Sequence, residues 1–156
     1  MSEKNELFKV SLNKSMAQCS QKELCTEDIR KKLSLWGVEN EDIEKIIIIL
    51  IKEKFIDETR YANAFVRDKF KYNKWGKVKI AMHLRHKKLS PDIIGMALDS
   101  IDHDQYVKFI RGVLEGHRRS IKAKNQLDLK AKLMRYGQSK GFESGVLYDI
   151  LGDMNE

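Results

Sequence analysis

Proline is almost absent from this chain, with one residue (Pro91) in 156, and glycine is limited to nine. So little turn punctuation points towards helices. Only two cysteines occur, Cys19 and Cys25, which is too few for a disulfide scaffold and leads us to expect a reducing, cytoplasmic setting. No apolar run reaches the roughly 18 residues needed to span a bilayer. The longest is IIIILI at Ile46 to Ile51, and the opening MSEKNELFKV lacks the apolar core of a signal peptide. Phosphate-cradling loops of the G-x-x-x-x-G-K-[ST] or G-x-G-x-x-G kind are missing as well, which argues against nucleotide binding of that type.

Catalytic chemistry is equally sparse. Of the four histidines, His83 and His86 are spaced i, i+3 and would suit a metal, but no carboxylate or cysteine lies near them in sequence, so they read as part of a basic face. Cys19 and Cys25 lack a second ligand pair and read as ordinary small residues. Most acids sit at helix starts, where capping accounts for them. These readings lead us to expect no enzyme activity, no cofactor and no metal.

What the chain does have is charge, unevenly placed. Hydrophobic residues make up 42% and charged residues 34%, a balance suited to one domain, or to a few small units sharing a continuous core. The formal net charge is +7. Residues 1–56 carry ten basic and ten acidic residues, 57–101 carry ten against five, and 102–156 carry ten against eight. Between Lys69 and Lys88 there are eight basic residues and no acid: Lys69, Lys71, Lys74, Lys77, Lys79, Arg85, Lys87 and Lys88. A solvated helix face usually interleaves both signs, so this run predicts an oriented patch for a polyanion or an acidic protein surface. The last five cannot share one face of a helix, so only a subset can touch a partner at once. Arg118, Arg119, Lys122 and Lys124 form a second candidate patch.

The apolar residues repeat. Ile29, Leu33, Val38, Ile43 and Ile47 recur 51 residues on as Ile80, Leu84, Leu89, Ile94 and Leu98. A further 53 residues on they recur as Leu133, Gly137, Phe142, Leu147 and Leu151, with Gly137 the one departure. The first and last pairs of each set are four apart, as on a helix, and the gap between them fits a short turn. Ser90-Pro91-Asp92 is a strong helix start, while Thr26-Glu27-Asp28 and Asn40-Glu41-Asp42 act similarly and Phe142-Glu143-Ser144 more weakly. Each pair follows another helical stripe: Leu7 to Cys19 with a poor cap, Tyr61 to Phe70 capped by Asp57, and Tyr106 to Leu114. The expected fold is all-α, with three-helix repeats at 1–56, 57–101 and 102–156. The β-branched run at 46–51 would also suit a strand, but it continues a helical pattern and would have no partner strand.

On this reading Tyr61, Phe65 and Phe70 are core. Trp75, before Gly76 at the junction of two helices, either wedges between them or stacks on a base, and we favour the wedge. Arg60 and Arg67 are placed to pair with Asp57 and Asp68.

The central repeat resembles the RecX family of recombination regulators. The matching residues are Phe55-Ile56-Asp57-Glu58, Arg60-Tyr61-Ala62, Phe65-Val66, Lys74-Trp75-Gly76 and Lys79-Ile80, continued by Leu84 and Leu89. Two departures are Lys88, where the family often has glycine, and Gly137 in place of a bulky residue. The resemblance implies tandem three-helix units forming an elongated, curved helical rod, and a monomer. It also implies a non-enzymatic role: binding the RecA recombinase along the groove of its single-stranded DNA filament and reducing ATPase, strand exchange and LexA cleavage. The two basic patches would then face RecA or DNA. A stand-alone helix-turn-helix DNA binder is the main alternative, but the acids at Asp92, Glu41 and Asp42 would repel phosphate there. A purely structural helical adaptor is a third.

Overall fold

The computed structural model describes residues 2–154. Among them nine α-helices and no strands occur. They are α1 (Glu3–Gln21), α2 (Thr26–Leu35), α3 (Asn40–Lys52), α4 (Glu58–Lys71), α5 (Lys77–His86), α6 (Pro91–Asp99), α7 (His103–Arg118), α8 (Gln126–Ser139) and α9 (Ser144–Asp153). No helix among the described residues is long and apolar enough to cross a membrane.

Local chemistry starts these helices. The side chains of Ser2, Asp57, Ser90, Asp102 and Asn125 each accept a main-chain N–H from three residues on, at 3.3, 3.0, 3.2, 3.0 and 2.8 Å. Each satisfies one of the donors that a helix start leaves orphaned. The first helix is therefore capped, by Ser2, contrary to the poor start expected. Two other starts shift by one residue. Cys25, not Thr26, precedes α2, and its N–H donates to the Asp28 carboxylate at 3.1 Å. Glu39, not Asn40, precedes α3, which keeps Glu41 and Asp42 in its first turn. In both cases the acids act from inside the first turn, where the dipole favours them, and no side-chain cap is needed at the expected position.

The turns between paired helices are three copies of one hydrogen-bonded device. Gly37, Lys88 and Gly141 adopt left-handed backbone, with φ of 87°, 63° and 91°. Their N–H groups donate to the carbonyls of Ser34, Arg85 and Gln138. The next residues, Val38, Leu89 and Phe142, donate to Leu33, Leu84 and Gly137 and insert their side chains into the core. This is the Schellman termination with its apolar plug. Lys88 therefore stands where the backbone favours glycine, and a lysine occupies a conformation that costs an L-residue roughly 1 kcal/mol.

Burial follows the repeat. All the repeated positions are buried except Leu98, which is half-buried. Gly137 belongs to the same set, and a Cβ there would come within 2.5 Å of Leu147 Cδ2, so any side chain would require the buried Leu147 to shift. The run at 46–51 lies in α3, with Ile46, Ile47 and Leu50 buried and Ile48 and Ile51 exposed, one helical face inward.

Three apolar clusters result. One is centred on α2 and α3 and is covered by Leu7, Phe8, Leu12 and Met16 of α1. The second is built on α4 to α6, and the third on α7 to α9. Cys25 crosses into the second cluster, and Phe70 and Ile101 pack against both second and third. Burial pushes the Cys25 thiol up to about 11, so it packs as a small apolar side chain.

Replacing Lys88 by glycine is expected to raise stability by about 0.5–1 kcal/mol, while Gly37→Ala should lower it by about 1 kcal/mol. Urea midpoints with an unchanged m-value would show both, and a lower midpoint for Lys88→Gly would refute the strain argument.

Candidate nucleic-acid interface

The loop between α4 and α5 is clipped to the loop between α8 and α9. Gly76 N–H donates to Lys140 O at 2.7 Å and Val78 N–H to Gly141 O at 2.9 Å. Lys140 Nζ donates to Asn73 O at 3.2 Å. Main chain meets main chain so closely that a Cβ on Gly76 would lie 2.3 Å from Gly141 O. Below this contact, the buried Tyr106 hydroxyl accepts from Lys77 N–H at 3.0 Å and donates to Glu143. Burial and that carboxylate both push the Tyr106 phenol far above its ordinary range, so it stays protonated and keeps donating. Phe70 completes the joint, 4.3 Å from Phe109 and 5.9 Å from Tyr106 between ring centroids.

The aromatic junction holds much of the first basic patch. Lys69 and Lys79 place Nζ 5.1 and 4.8 Å from the centre of Trp75. Lys77 lies over Tyr106 at 4.8 Å, Lys74 over Phe109 at 5.7 Å, and Lys71 over the exposed Tyr72 at 5.4 Å. Such contacts orient a cation for roughly 0.5–1 kcal/mol at exposed sites and leave its charge unneutralised. Trp75 is half-buried between Phe65 at 6.4 Å and His83 at 4.5 Å, which is the wedge expected of it. His83 Nδ1 sits 3.0 Å from Lys79 O. Among the described residues no group of three or more His, Cys, Asp or Glu is placed to hold a metal.

The patch is acid-free in sequence but not in space. Lys87 Nζ lies 2.5 Å from Asp28, and Lys88 Nζ lies 3.9 Å from Glu27, both acids belonging to α2. Burial alone would raise the Asp28 carboxyl, but the bonds from Lys87 and from Cys25 N–H outweigh it and hold Asp28 below its usual range. The bond to Asp28 raises Lys87 in turn. Lys87 is thus tied into the joint between the first two clusters. Arg85 stays exposed on α5, and Lys71 and Lys74 are exposed on either side of Tyr72.

Arg60 also differs from expectation. Its guanidinium binds Glu23 at 2.6 Å and the carbonyls of Lys54 and Phe55 at 3.1 and 3.3 Å, not the Asp57 carboxylate, which accepts only the Arg60 main-chain N–H. Asp57 is committed to capping, and Glu23, in the turn between α1 and α2, supplies the better partner. Arg67 does lie 3.8 Å from Asp68, at an exposed site. Tyr61 is buried beside its stacking partner Phe65, 5.9 Å away.

In the second patch Arg118 is 3.5 Å from Glu115, while Arg119, Lys122 and Lys124 are exposed. Lys132 donates to Lys122 O at 2.6 Å but is itself paired with Asp128 at 3.2 Å. Between the two patches the structure opens a cleft of about 560 Å³ along α7, lined by Lys74, Lys108, Phe109, Gly112, Gly116 and Tyr136 among others. Lys108 and Lys140 were not among the sequence candidates. Lys108 is an isolated cation on an amphipathic helix, and the place of Lys140 in a repeated turn is the only sequence signal either carries.

Comparison with known proteins turns on the same central segment. Residues 57–98 match the family model described as the second three-helix domain of RecX. The chain is 32% identical over 115 residues to the regulatory protein RecX of Vibrio campbellii, covering 74% of this chain and 72% of that protein. This chain belongs to the RecX family. It is also 32% identical over 127 residues to regulatory protein RecX of Clostridium botulinum, covering 80% of this chain and 59% of that protein. The chain thus spans about 59% of the length of that relative. The crystal structure of RecX from Lactobacillus salivarius superimposes with a TM-score of 0.83 at 20% identity, covering 97% of this chain and 98% of that one. A second crystal structure of regulatory protein RecX gives 0.86 at 23% identity, covering 96% and 73%. At these identities the likeness is one of fold.

Two predictions arise from the joints. Gly76→Ala should cost about 2–3 kcal/mol, since the new Cβ meets a main-chain oxygen that cannot yield cheaply; an unchanged melting temperature would contradict this. Lys87→Met should cost about 1–2 kcal/mol near neutral pH. The Asp28 contribution exists above its unfolded pKa of about 3.9 and fades as pH falls through its lower folded value. The Lys87 contribution exists below about 10.4 and fades as pH rises through its raised folded value. Urea titrations should therefore show the gap between wild type and Lys87→Met widest in mid-range and closing towards pH 3.

Proposed function

We propose that this chain binds the RecA recombinase on single-stranded DNA and restrains it, lowering its ATPase, strand-exchange and co-protease activities during DNA repair, recombination and the SOS response. Membership of the RecX family, whose relatives are named regulatory proteins, carries this reading. It is supported by the basic excess at 57–101 and by a second basic patch beyond it. In this reading the units are 1–56, 57–101 and 102–156, joined into an elongated rod that acts as a monomer in the cytoplasm and has no catalytic step of its own. A rod of this kind attaches to a repeating filament through several weak contacts that reinforce one another by effective concentration.

Within the first patch, the exposed Lys71, Lys74 and Arg85 are the cations best placed for RecA or DNA. Lys69, Lys77 and Lys79 contribute field from their aromatic seats, while Lys87 and Lys88 are turned towards α2.

The test is to follow ATP hydrolysis by RecA on single-stranded DNA as the chain is added, at two salt concentrations. Inhibition well below one copy per RecA is expected, weakening as salt rises. The triple variant Lys71→Gln, Lys74→Gln, Arg85→Gln should need about tenfold more protein, with the equally discharged Lys9→Gln, Lys31→Gln, Lys52→Gln variant as the control for charge alone. Inhibition only at amounts that coat the DNA would refute the filament reading and favour plain competition for the strand.

A further inference from the structure

The α7 cleft has a construction that the packing of this protein does not explain. Gly112 lies in the interior of the helix, where glycine is a poor choice, and Gly116 follows one turn on, in the last turn of α7. A Cβ at either would meet nothing within 4 Å, so neither a close approach nor a turn requires them. Their effect is to leave the floor of the cleft open. Phe109 and Tyr136 supply flat apolar surface to its sides, and Tyr136 is itself held by a parallel stack on His117, 3.5 Å between centroids at 7°. Lys74 and Lys108 stand at the cleft, both exposed. Lys74 makes a ring contact with Phe109, and among the described residues neither lysine has a carboxylate within 4 Å.

A concave site of about 560 Å³ falls in the size range of small-ligand pockets. Flat apolar walls flanked by unneutralised cations suit a ligand with a planar ring and an attached anion. We propose that the cleft seats one unstacked base of a single-stranded nucleic acid, the ring lying between Phe109 and Tyr136 and the flanking phosphates meeting Lys74 and Lys108. Base–aromatic stacking and a basic track are the two components of sequence-tolerant strand binding. A base within a duplex is already stacked and paired and enters only after flipping out, which disfavours the duplex. The inference deepens the filament reading by giving the chain its own hold on the strand, and its test leaves RecA out.

The experiment is fluorescence anisotropy with a labelled thymidine 15-mer, the same oligomer as a duplex, and thymidine monophosphate as competitor. Wild type should bind the single strand at least tenfold more tightly than the duplex, and millimolar mononucleotide should compete weakly. Gly116→Leu fills the cleft without changing charge, so it should weaken single-strand binding about tenfold and leave the salt slope unaltered. Lys108→Gln, which does not touch the core, should weaken binding severalfold and reduce the salt slope by about 0.7. Thermal melts identify any variant that fails to fold, and Lys108→Gln decides the matter if Gly116→Leu does not. Unchanged binding by folded Gly116→Leu, or equal affinity for duplex and single strand, would overturn the proposal. So would a mononucleotide binding as tightly as the oligomer, which would make the site one for free nucleotides. Strand binding that depends on the cleft, alongside RecA ATPase that ignores the chain, would support the cleft and refute the filament reading.

Discussion

The segments around Gly76 and Gly141 lie so near that main chain bonds main chain, and this closeness depends on neither residue carrying a side chain. Gly141 also needs its freedom for the left-handed turn that ends α8. Once the two loops are in register, Tyr106 can reach both Lys77 N–H and Glu143, and Phe70 can seat against Phe109. A polar bond buried with all its partners satisfied is specific as well as stabilising, because any sliding of the joint would orphan it. The position of Lys74 over Phe109, and hence the cleft along α7, is set by this contact.

The other joint is chemically different. Between the first and second clusters the chain relies on Lys87 with Asp28, Arg60 with Glu23, and Thr26 N–H donating to Glu58 at 3.3 Å. Partly buried ion pairs give orientation more readily than net stability, since desolvation offsets much of their attraction. One joint is therefore built from backbone and aromatic rings and the other from paired charges. The second spends cations that the sequence presents as free, and so the basic surface shifts away from α2 and towards α7.

Because of this shift, the positive surface is divided by how its cations are held. Lys69, Lys77 and Lys79 are oriented by rings without losing charge, whereas Lys87 is neutralised by a carboxylate. Oriented cations lose less rotamer freedom on meeting a partner, which favours contact with a repeating polyanion through many weak points. That property suits a regulator whose proposed target is a filament.

The helices, their three-fold repetition and most of the buried apolar positions were legible in the sequence, because a 3.6-residue period and capping chemistry are local and survive without neighbours. The same holds for Asp57 and Ser90 as caps and for Trp75 as a wedge. The burial of Leu24, Ile56 and the α1 serines Ser11 and Ser15 was not legible. Nor were the partner of Arg60 and the pairing of Lys87 and Lys88, because each depends on which residue of a distant segment arrives. The starts at Cys25 and Glu39 were missed by one residue because acids inside the first turn leave the cap position without a side-chain signal. Gly137 shows the boundary between the two: it breaks the apolar pattern, and only the nearness of Leu147 explains why. Sequence alone determined where the chain forms helices and which faces are apolar, since those follow from spacing along the backbone. The tertiary structure decided which cations remain available and where an open cleft lies, since both depend on groups tens of residues apart being brought within a few ångströms.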